Sequence, residues 1–181
     1  RQGVAMHNVN VGALRETVAK AEGDPSAVRK PVEFDGDWQT REGAAQFRAT
    51  ISFPQGETVF EADFAPPMGG TGVAPSPLAY CFWGGLACYA MTFAQEAALQ
   101  GIRLQSLRGR LATEVDHSRA LGVTDNPPVE QIDWYIEVQC DAAPETLERI
   151  KRLADEHCPG VWCVRNPVQL ATHLQVTPDP G

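Results

Sequence analysis

Residues 78–94 read LAYCFWGGLACYAMTFA and carry no charged side chain. Drawn as a helix, this stretch is apolar or small on nearly every face, and such a helix has to be buried all round. We expect it to span residues 78–100, with Gly101 as its C-terminal stop. The adjacent Gly84 and Gly85 cost about 1 kcal/mol each relative to alanine in a helix interior. That cost indicates a packing need, and a second copy of the same helix is one partner that would explain it.

Strands and shorter helices are predicted on both sides of this central helix from hydrophobic periodicity and turn residues. In chain order, the pattern predicts a helix over residues 8–22, strands over 45–53 and 57–64 joined by a turn, the central helix, strands over 104–114 and 129–140, a helix over 144–157 and a last strand over 168–176. The strands cluster instead of alternating with helices, so the expected fold class is α+β and not a doubly wound sheet.

Composition limits the classes of function. The chain has 181 residues, of which 43% are hydrophobic, enough for one domain or two merged lobes. Its net charge is -8 without a cluster of Lys or Arg, so we expect neither nucleic-acid nor membrane binding. The uncharged run from Phe64 to Gln95 begins with a Pro- and Gly-rich segment, which favours a buried helix over a membrane span. Five cysteines without disulfide-like spacing predict free thiols and a cytoplasmic location.

Two cysteines are candidates for chemistry. Cys88 lies in the middle of the central helix, where a cysteine is more often a packing residue than a reactive thiol. Cys158 directly precedes Pro159, and a helix that begins at this proline would place the thiol at its N-cap, where a thiolate is favoured. The alternative is that Cys158 only packs on the apolar face of the preceding helix, and the residues alone leave both readings open.

Metal and cofactor binding are not expected. His157, Cys158 and Cys163 lie close in sequence, but they form no CxxC pair and have no matching second half. The glycine-rich segment over residues 69–72 lacks the strand and helix that flank a dinucleotide-binding loop.

Taken together, several segments resemble the OsmC/Ohr family over about residues 37–176. The motifs are Gly69-Gly70 followed by Ala74-Pro75-Ser76-Pro77 and a small-residue helix with Cys88 about three turns into it, Gly101-Ile102 at the end of that helix, and His157-Cys158-Pro159 followed by Arg165-Asn166-Pro167-Val168. Each motif is weak alone, and their order and spacing make the combination fairly specific.

The resemblance implies an OsmC-like fold in which antiparallel sheets wrap around long buried central helices of an intertwined homodimer. It implies a family domain over residues 37–181, and we expect a helical N-terminal extension over residues 1–36. It also implies a cofactor-independent peroxidase: the Cys88 thiolate attacks an organic hydroperoxide, and Cys158 then forms a disulfide with Cys88. A dithiol reductant, such as a lipoyl group, restores the two thiols by exchange.

One position departs from the family pattern. Close members of the family carry a Glu just after the proline that begins the helix, paired with an Arg near the cysteine, and this position is Leu78 here. Arg41, in Arg41-Glu42-Gly43, is the expected arginine of the site, with Arg48 as its rival.

The missing carboxylate motivates an alternative function, a non-catalytic dimer of the same fold that binds a hydrophobic small molecule in a stress response. Four aromatic residues of the central helix would line its pocket: Tyr80, Phe82, Trp83 and Tyr89. Aromatic residues at helical spacing are more often part of a core than of a ligand site.

Overall fold

The computed structural model of the protein describes residues 5–176, which form four α-helices and seven strands. The helices are α1 (Val11–Gly23), α2 (Pro77–Leu99), α3 (Pro144–His157) and α4 (Pro159–Arg165). The strands are β1 (Ala5–Met6), β2 (Val9–Asn10), β3 (Gly36–Trp38), β4 (Phe47–Phe53), β5 (Gly56–Ala62), β6 (Ser106–Thr113) and β7 (Ile132–Gln139). Every strand pair is antiparallel, and the strands cluster as predicted, which confirms the α+β class.

The first helix begins later in the chain than its hydrophobic pattern predicts. His7 and Asn8 have positive φ angles and form the turn of the β1–β2 hairpin, so the predicted start at Asn8 is wrong. Asn10 follows, and its side chain accepts a hydrogen bond from the Ala13 N–H at 3.1 Å. This N-cap satisfies a backbone donor that the first turn leaves free, and it sets the start of α1.

The His7 ring joins the N-terminal hairpin to the end of α2. The Leu104 N–H donates to His7 Nδ1 at 3.2 Å, so the other ring nitrogen carries the hydrogen. That nitrogen, Nε2, donates to the Ala94 carbonyl at 2.8 Å. One side chain thus connects segments that lie far apart in sequence.

Strands β3, β4 and β5 form a three-stranded sheet that we call the N-terminal sheet. The hairpin of β4 and β5 is confirmed, with Pro54 and Gln55 in its turn, whereas β3 was not predicted. Phe47 and Phe53 lie on the apolar face of this sheet, and each is about half exposed. Within this one chain, the apolar face is therefore only partly covered.

The glycine-rich segment over residues 69–72 is held by a buried carboxylate. Asp63 Oδ2 accepts hydrogen bonds from the Thr71 N–H, the Thr71 hydroxyl and the Val73 N–H at 2.8–3.1 Å. Burial acts to raise the pKa of Asp63, but these hydrogen bonds outweigh burial and lower it. A Cβ on Gly70 would lie 2.0 Å from the Phe64 carbonyl oxygen, so the loop requires glycine there. The segment has a structural explanation without a nucleotide.

Helix α2 has the predicted ends. Ser76 caps its N-terminus, and Gly101, with a φ of +73°, follows its C-terminus. The expectation that α2 is buried all round does not hold within one chain, since Trp83 and Met91 are both more than 60% exposed. The fully buried positions lie in the second half of the helix. None of the helices formed by residues 5–176 has the length and apolarity that a membrane crossing requires.

The core lies between the second half of α2, helices α3 and α4, and the two-stranded sheet of β6 and β7. Its buried members are Tyr89, Phe93, Ala97, Leu104, Ile150, Ala154, Cys158 and Val161. Ile150 and Ala154 lie one turn apart on the amphipathic α3, whose predicted bounds are confirmed. All of these residues follow Cys88 in sequence, so the core belongs to the part of the chain from α2 onward, residues 77–176, which we call the C-terminal half.

The predicted last strand over residues 168–176 is wrong. This segment is irregular and exposed, and Leu170 and Leu174 are each at least 86% exposed. A strand needs a neighbour that accepts and donates its backbone hydrogen bonds, and no strand formed by residues 5–176 pairs with this segment.

Candidate active site

The thiols of Cys88 and Cys158 lie in contact, with their sulfur atoms 3.6 Å apart, although 70 residues separate them in the chain. Cys158 is fully buried, and Cys88 is partly buried. Cys158 ends α3 and precedes α4, as its position before Pro159 predicts. Its side chain makes no capping hydrogen bond, and the thiol donates to Cys88 instead.

Glycine allows α4 to approach α2 at this point. A Cβ on Gly160 would lie 3.3 Å from Cys88 Cβ, 3.5 Å from Cys88 Sγ and 3.5 Å from the Gly85 carbonyl oxygen. A larger residue at Gly160 would therefore crowd Cys88, which would have to shift by a few tenths of an ångström to accommodate it. The absence of a side chain at Gly160 thus helps α4 to pack closely on Cys88.

The two adjacent glycines of α2 have different environments. A Cβ on Gly85 would lie 2.8 Å from Cζ2 of Trp134, so the indole ring of β7 occupies the space that glycine leaves. A Cβ on Gly84 would meet no atom within 4 Å. The packing need predicted for this pair is thus met within the chain at Gly85, and Gly84 faces open space in the single chain.

The surroundings of Cys88 oppose ionisation in the single chain. Burial raises the pKa of the Cys88 thiol, and the Cys158 and Cys163 thiols add to the rise. The backbone N–H of Gly160, in the first turn of α4, acts in the opposite direction but does not outweigh burial. A reactive thiolate at Cys88 therefore needs a further positive charge.

A second layer of polar side chains surrounds the cysteine pair. The Tyr89 hydroxyl donates to Asp155 Oδ1 at 2.6 Å, and Lys151 Nζ donates to Asp155 Oδ2 at 2.8 Å. On the other side of Cys158, His157 Nδ1 lies 2.7 Å from Glu96 Oε1. Sequence reasoning missed this layer, because no local pattern connects residues of α2 with residues of α3 that lie more than 60 positions away.

The protonation states of this layer follow from its contacts. Burial raises the pKa of the Tyr89 phenol, and the Asp155 carboxylate raises it further. For Asp155, burial acts to raise the pKa, but hydrogen bonds from Lys151 and Tyr89 outweigh burial and lower it. Near neutral pH, Tyr89 is therefore a neutral donor and Asp155 an ionised acceptor, which gives a charge-assisted hydrogen bond.

Arg41 does not contact the cysteine pair within the chain. It lies in the exposed loop between β3 and β4, and no hydrogen bond or ion pair among residues 5–176 involves its guanidinium. Its rival Arg48 lies 3.9 Å from Glu61 across the N-terminal sheet. Leu78 is about one-third exposed in the first turn of α2. Within residues 5–176, neither candidate arginine therefore lies at the thiols, and the causes that shift the pKa of Cys88 include no cation.

A small open pocket of about 200 Å³ lies beside the second layer of polar side chains. Tyr89 and Trp134 form part of its wall, with their ring centroids 5.6 Å apart. The indole N–H of Trp134 is buried without a hydrogen-bond partner among the described residues. Lys151 and Arg165 place positive charge at the pocket. Of the four aromatic residues proposed to line a ligand site, Tyr89 is the one that contributes to this pocket.

Comparison with known proteins gives the family. The sequence profile of the OsmC-like protein family matches residues 69–173, more than half of the chain. This range contains α2, both candidate cysteines and the sheet of β6 and β7. No curated protein sequence matches the chain.

Solved structures with the same fold share little sequence with the chain. An OsmC-like protein from Mycoplasma pneumoniae is 15% identical, with a TM-score of 0.53 over 76% of this chain and 91% of its own. The organic hydroperoxide resistance protein OsmC from Legionella pneumophila is 15% identical, with a TM-score of 0.51 over 76% and 92%. An OsmC-like protein of unknown function from Vibrio cholerae is 14% identical, with a TM-score of 0.52 over 72% and 92%.

At these identities the solved structures support the fold and not a particular activity. The fold and the family profile agree with each other, and the motifs that carried the resemblance all lie within or next to the matched range. The chain belongs to the OsmC-like protein family.

Proposed function

We propose that the protein is a thiol-dependent peroxidase that reduces organic hydroperoxides to alcohols through Cys88 and Cys158. The observation that carries this proposal is the 3.6 Å contact between the two sulfur atoms. A disulfide needs a sulfur separation of about 2.05 Å, so the pair requires only a small movement to close. In this proposal, the partly buried Cys88 is the thiol that reacts with the substrate. The fully buried Cys158 is the thiol that then forms a disulfide with Cys88.

The proposed cycle has three steps. The Cys88 thiolate attacks the terminal oxygen of the hydroperoxide, the O–O bond breaks, and the alcohol leaves after taking a proton while Cys88 becomes a sulfenic acid. The Cys158 sulfur then attacks the sulfenic sulfur, water leaves, and a disulfide forms. An external dithiol, such as a lipoyl group, reduces this disulfide by exchange and becomes a cyclic disulfide itself.

The proposal includes a homodimer that completes the site. Burial raises the pKa of Cys88, and the causes that act on this pKa within residues 5–176 include no cation. A second copy would supply Arg41, which is free of ion pairs among the described residues, and it would cover the half-exposed apolar face of the N-terminal sheet. Placing a guanidinium beside Cys88 would favour the thiolate.

The binding-module alternative has one supporting observation, the pocket beside Tyr89 and Trp134 with its unpartnered indole N–H. Its volume of about 200 Å³ lies below the range of about 300–1,000 Å³ that is usual for small-molecule sites. Charged Lys151 and Arg165 at the pocket also fit poorly with a purely apolar ligand. The cysteine pair therefore supports the peroxidase more strongly.

The test is a count of free thiols before and after one equivalent of cumene hydroperoxide, with peptide mapping of any disulfide. We expect rapid loss of two thiols and a Cys88–Cys158 disulfide in the wild type. Cys88→Ser should abolish peroxide consumption, whereas Cys158→Ser should still react once and keep a sulfenic acid that dimedone traps. Unchanged thiols in the wild type would refute the peroxidase.

Two other cysteines are controls for the cysteine pair, and Arg48 is the control for Arg41. Cys140→Ser changes a cysteine that packs against the core outside the pair, and Cys81→Ser changes an exposed thiol of the same helix. Both should react as the wild type does. Arg41→Ala should slow the first step at neutral pH and lose this effect at alkaline pH, where Cys88 ionises without help. If Arg48→Ala behaved in this way instead, Arg41 would lose its proposed role.

A further inference from the structure

A hydrogen bond links Tyr89, the residue after Cys88, to the last turn of α3, the helix that ends at Cys158. Tyr89 follows Cys88 on α2, and its hydroxyl donates to Asp155 at 2.6 Å. Asp155 lies in the last turn of α3, three residues before Cys158. Tyr89 is 4% exposed, so water competes little for this bond.

We propose that Tyr89 is a positioning residue for closure of the Cys88–Cys158 disulfide, because its hydroxyl fixes the end of α3 against α2 through Asp155. Its place in a catalytic cycle rests on the proposed function, since disulfide formation is the second step of that cycle. The effect on closure itself is a property of the two thiols and does not depend on the oxidant.

The position of Cys158 depends on the end of α3 for a geometric reason. Cys158 is the last residue tied to α3, through its N–H bond to the Ala154 carbonyl at 3.0 Å, and it is also the first cap of α4. Its sulfur has to approach Cys88 from 3.6 Å to bonding distance without a large backbone shift. Fraying of the last turn of α3 would enlarge the volume that this sulfur explores and lower its effective concentration at Cys88.

Two other contacts help to separate this role from general packing. Lys151 holds the second oxygen of Asp155 at 2.8 Å, so the carboxylate is fixed from both sides. The contact between His157 and Glu96 is also near Cys158, but the His157 side chain is 51% exposed. Exposed contacts of this kind contribute little, so the Tyr89 contact is the one that should control closure.

Tyr89→Phe isolates the hydroxyl, because the ring and its packing on Trp134 at 5.6 Å remain. In a glutathione redox buffer, the protein dithiol and oxidised glutathione exchange with the protein disulfide and two reduced glutathione molecules. We expect Tyr89→Phe to lower the equilibrium constant for the Cys88–Cys158 disulfide by about tenfold, because the loosened end of α3 lowers the effective concentration of the Cys158 sulfur at Cys88. Asp155→Ala should produce the same decrease, and the double variant should be no worse than either single one.

Conservative variants distinguish positioning from mere stability. Asp155→Asn keeps a carbonyl acceptor for Tyr89 but loses the charge, so it should retain more of the wild-type equilibrium constant than Asp155→Ala does. Glu96→Gln should stay close to the wild-type constant. The free energy of unfolding of each reduced variant is measured in parallel. A purely structural role would lower that free energy in Tyr89→Phe and leave the thiol equilibrium unchanged, which would overturn the inference.

The glutathione measurement also separates this inference from the proposed function. If the wild type closes the disulfide in glutathione but ignores cumene hydroperoxide, the peroxidase proposal fails while the positioning role stands. If Tyr89→Phe closes the disulfide as readily as the wild type, the positioning role fails whatever the peroxide does. An equal decrease in Glu96→Gln would also refute it, because any loosening near Cys158 would then suffice.

Discussion

The two halves of the chain differ in how far their apolar side chains are buried. In the C-terminal half, α2, α3, α4 and the sheet of β6 and β7 enclose a core in which Ile150, Ala154 and Cys158 are fully buried. In the N-terminal sheet, Phe47 and Phe53 lie on the apolar face but remain about half exposed. Both halves have the alternation or periodicity of buried elements, yet only the C-terminal half encloses a buried cluster of this kind within residues 5–176.

The two halves therefore contribute differently to the candidate site. The C-terminal half brings the two thiols together with its own packing, whereas the N-terminal half carries Arg41 and an apolar face that still needs a cover. If the proposed homodimer is right, the N-terminal half of one copy serves the site of the other. Substitutions in the two halves should then have effects of different size and different concentration dependence.

The largest difference is expected between Ile150→Ala and Phe53→Ala. Ile150 is fully buried, and its truncation should lower the free energy of unfolding by about 2–5 kcal/mol at any protein concentration. Phe53 is half exposed in the single chain, so its truncation should cost only about 1 kcal/mol in dilute protein. Urea denaturation at several protein concentrations measures both.

The cost of Phe53→Ala should also depend on protein concentration. A second copy that covers Phe53 would make the cost of Phe53→Ala grow as the protein is concentrated, since association stabilises the folded state by mass action. A constant cost for Phe53→Ala that equals the cost of Ile150→Ala would contradict this difference in burial, because the N-terminal sheet would then be as well packed as the core.

A smaller difference is expected between two neighbouring glycines of α2. Gly85→Ala places a Cβ 2.8 Å from the Trp134 ring, and this overpacking should cost about 1–3 kcal/mol. Gly84→Ala meets no atom within 4 Å and should stabilise the dilute protein by up to about 1 kcal/mol through helix propensity. Thermal and urea denaturation of the two variants gives the sign of each effect. Equal stability of the two variants would contradict the contact with Trp134.

Elements with strong local signals were predicted well. Helix α3 matches its predicted bounds because Pro144 marks the first turn and an apolar stripe continues to His157. Helix α2 ends before Gly101 because a residue with positive φ is needed there, and glycine adopts it without strain. The helix that starts at Pro159 follows from the same proline rule.

Predictions that needed information from distant parts of the chain were less successful. The apolar residues at positions 168–176 suggested a strand, but a strand also requires a partner, which a local pattern does not supply. The contact between Cys88 and Cys158 spans 70 residues and was expected from family resemblance, not from spacing. Tyr89 and Asp155 had no such guide, and their hydrogen bond is visible only in the folded structure.

The smallest expected difference is between one ion pair in each half. Lys151 lies 2.8 Å from Asp155, whose side chain is 26% exposed, so Lys151→Met should cost about 0.5 kcal/mol near neutral pH. Arg48 lies 3.9 Å from Glu61 with both side chains more than half exposed, so Arg48→Met should cost less. Because the folded-state pKa of Asp155 is lowered, its contribution is complete above the ordinary carboxyl pKa and is lost as the pH falls through the folded value. Urea denaturation at neutral pH and below about pH 4 should therefore show that the difference in the free energy of unfolding between wild type and Lys151→Met shrinks on acidification. A difference that persists at low pH would exclude Asp155 as its source.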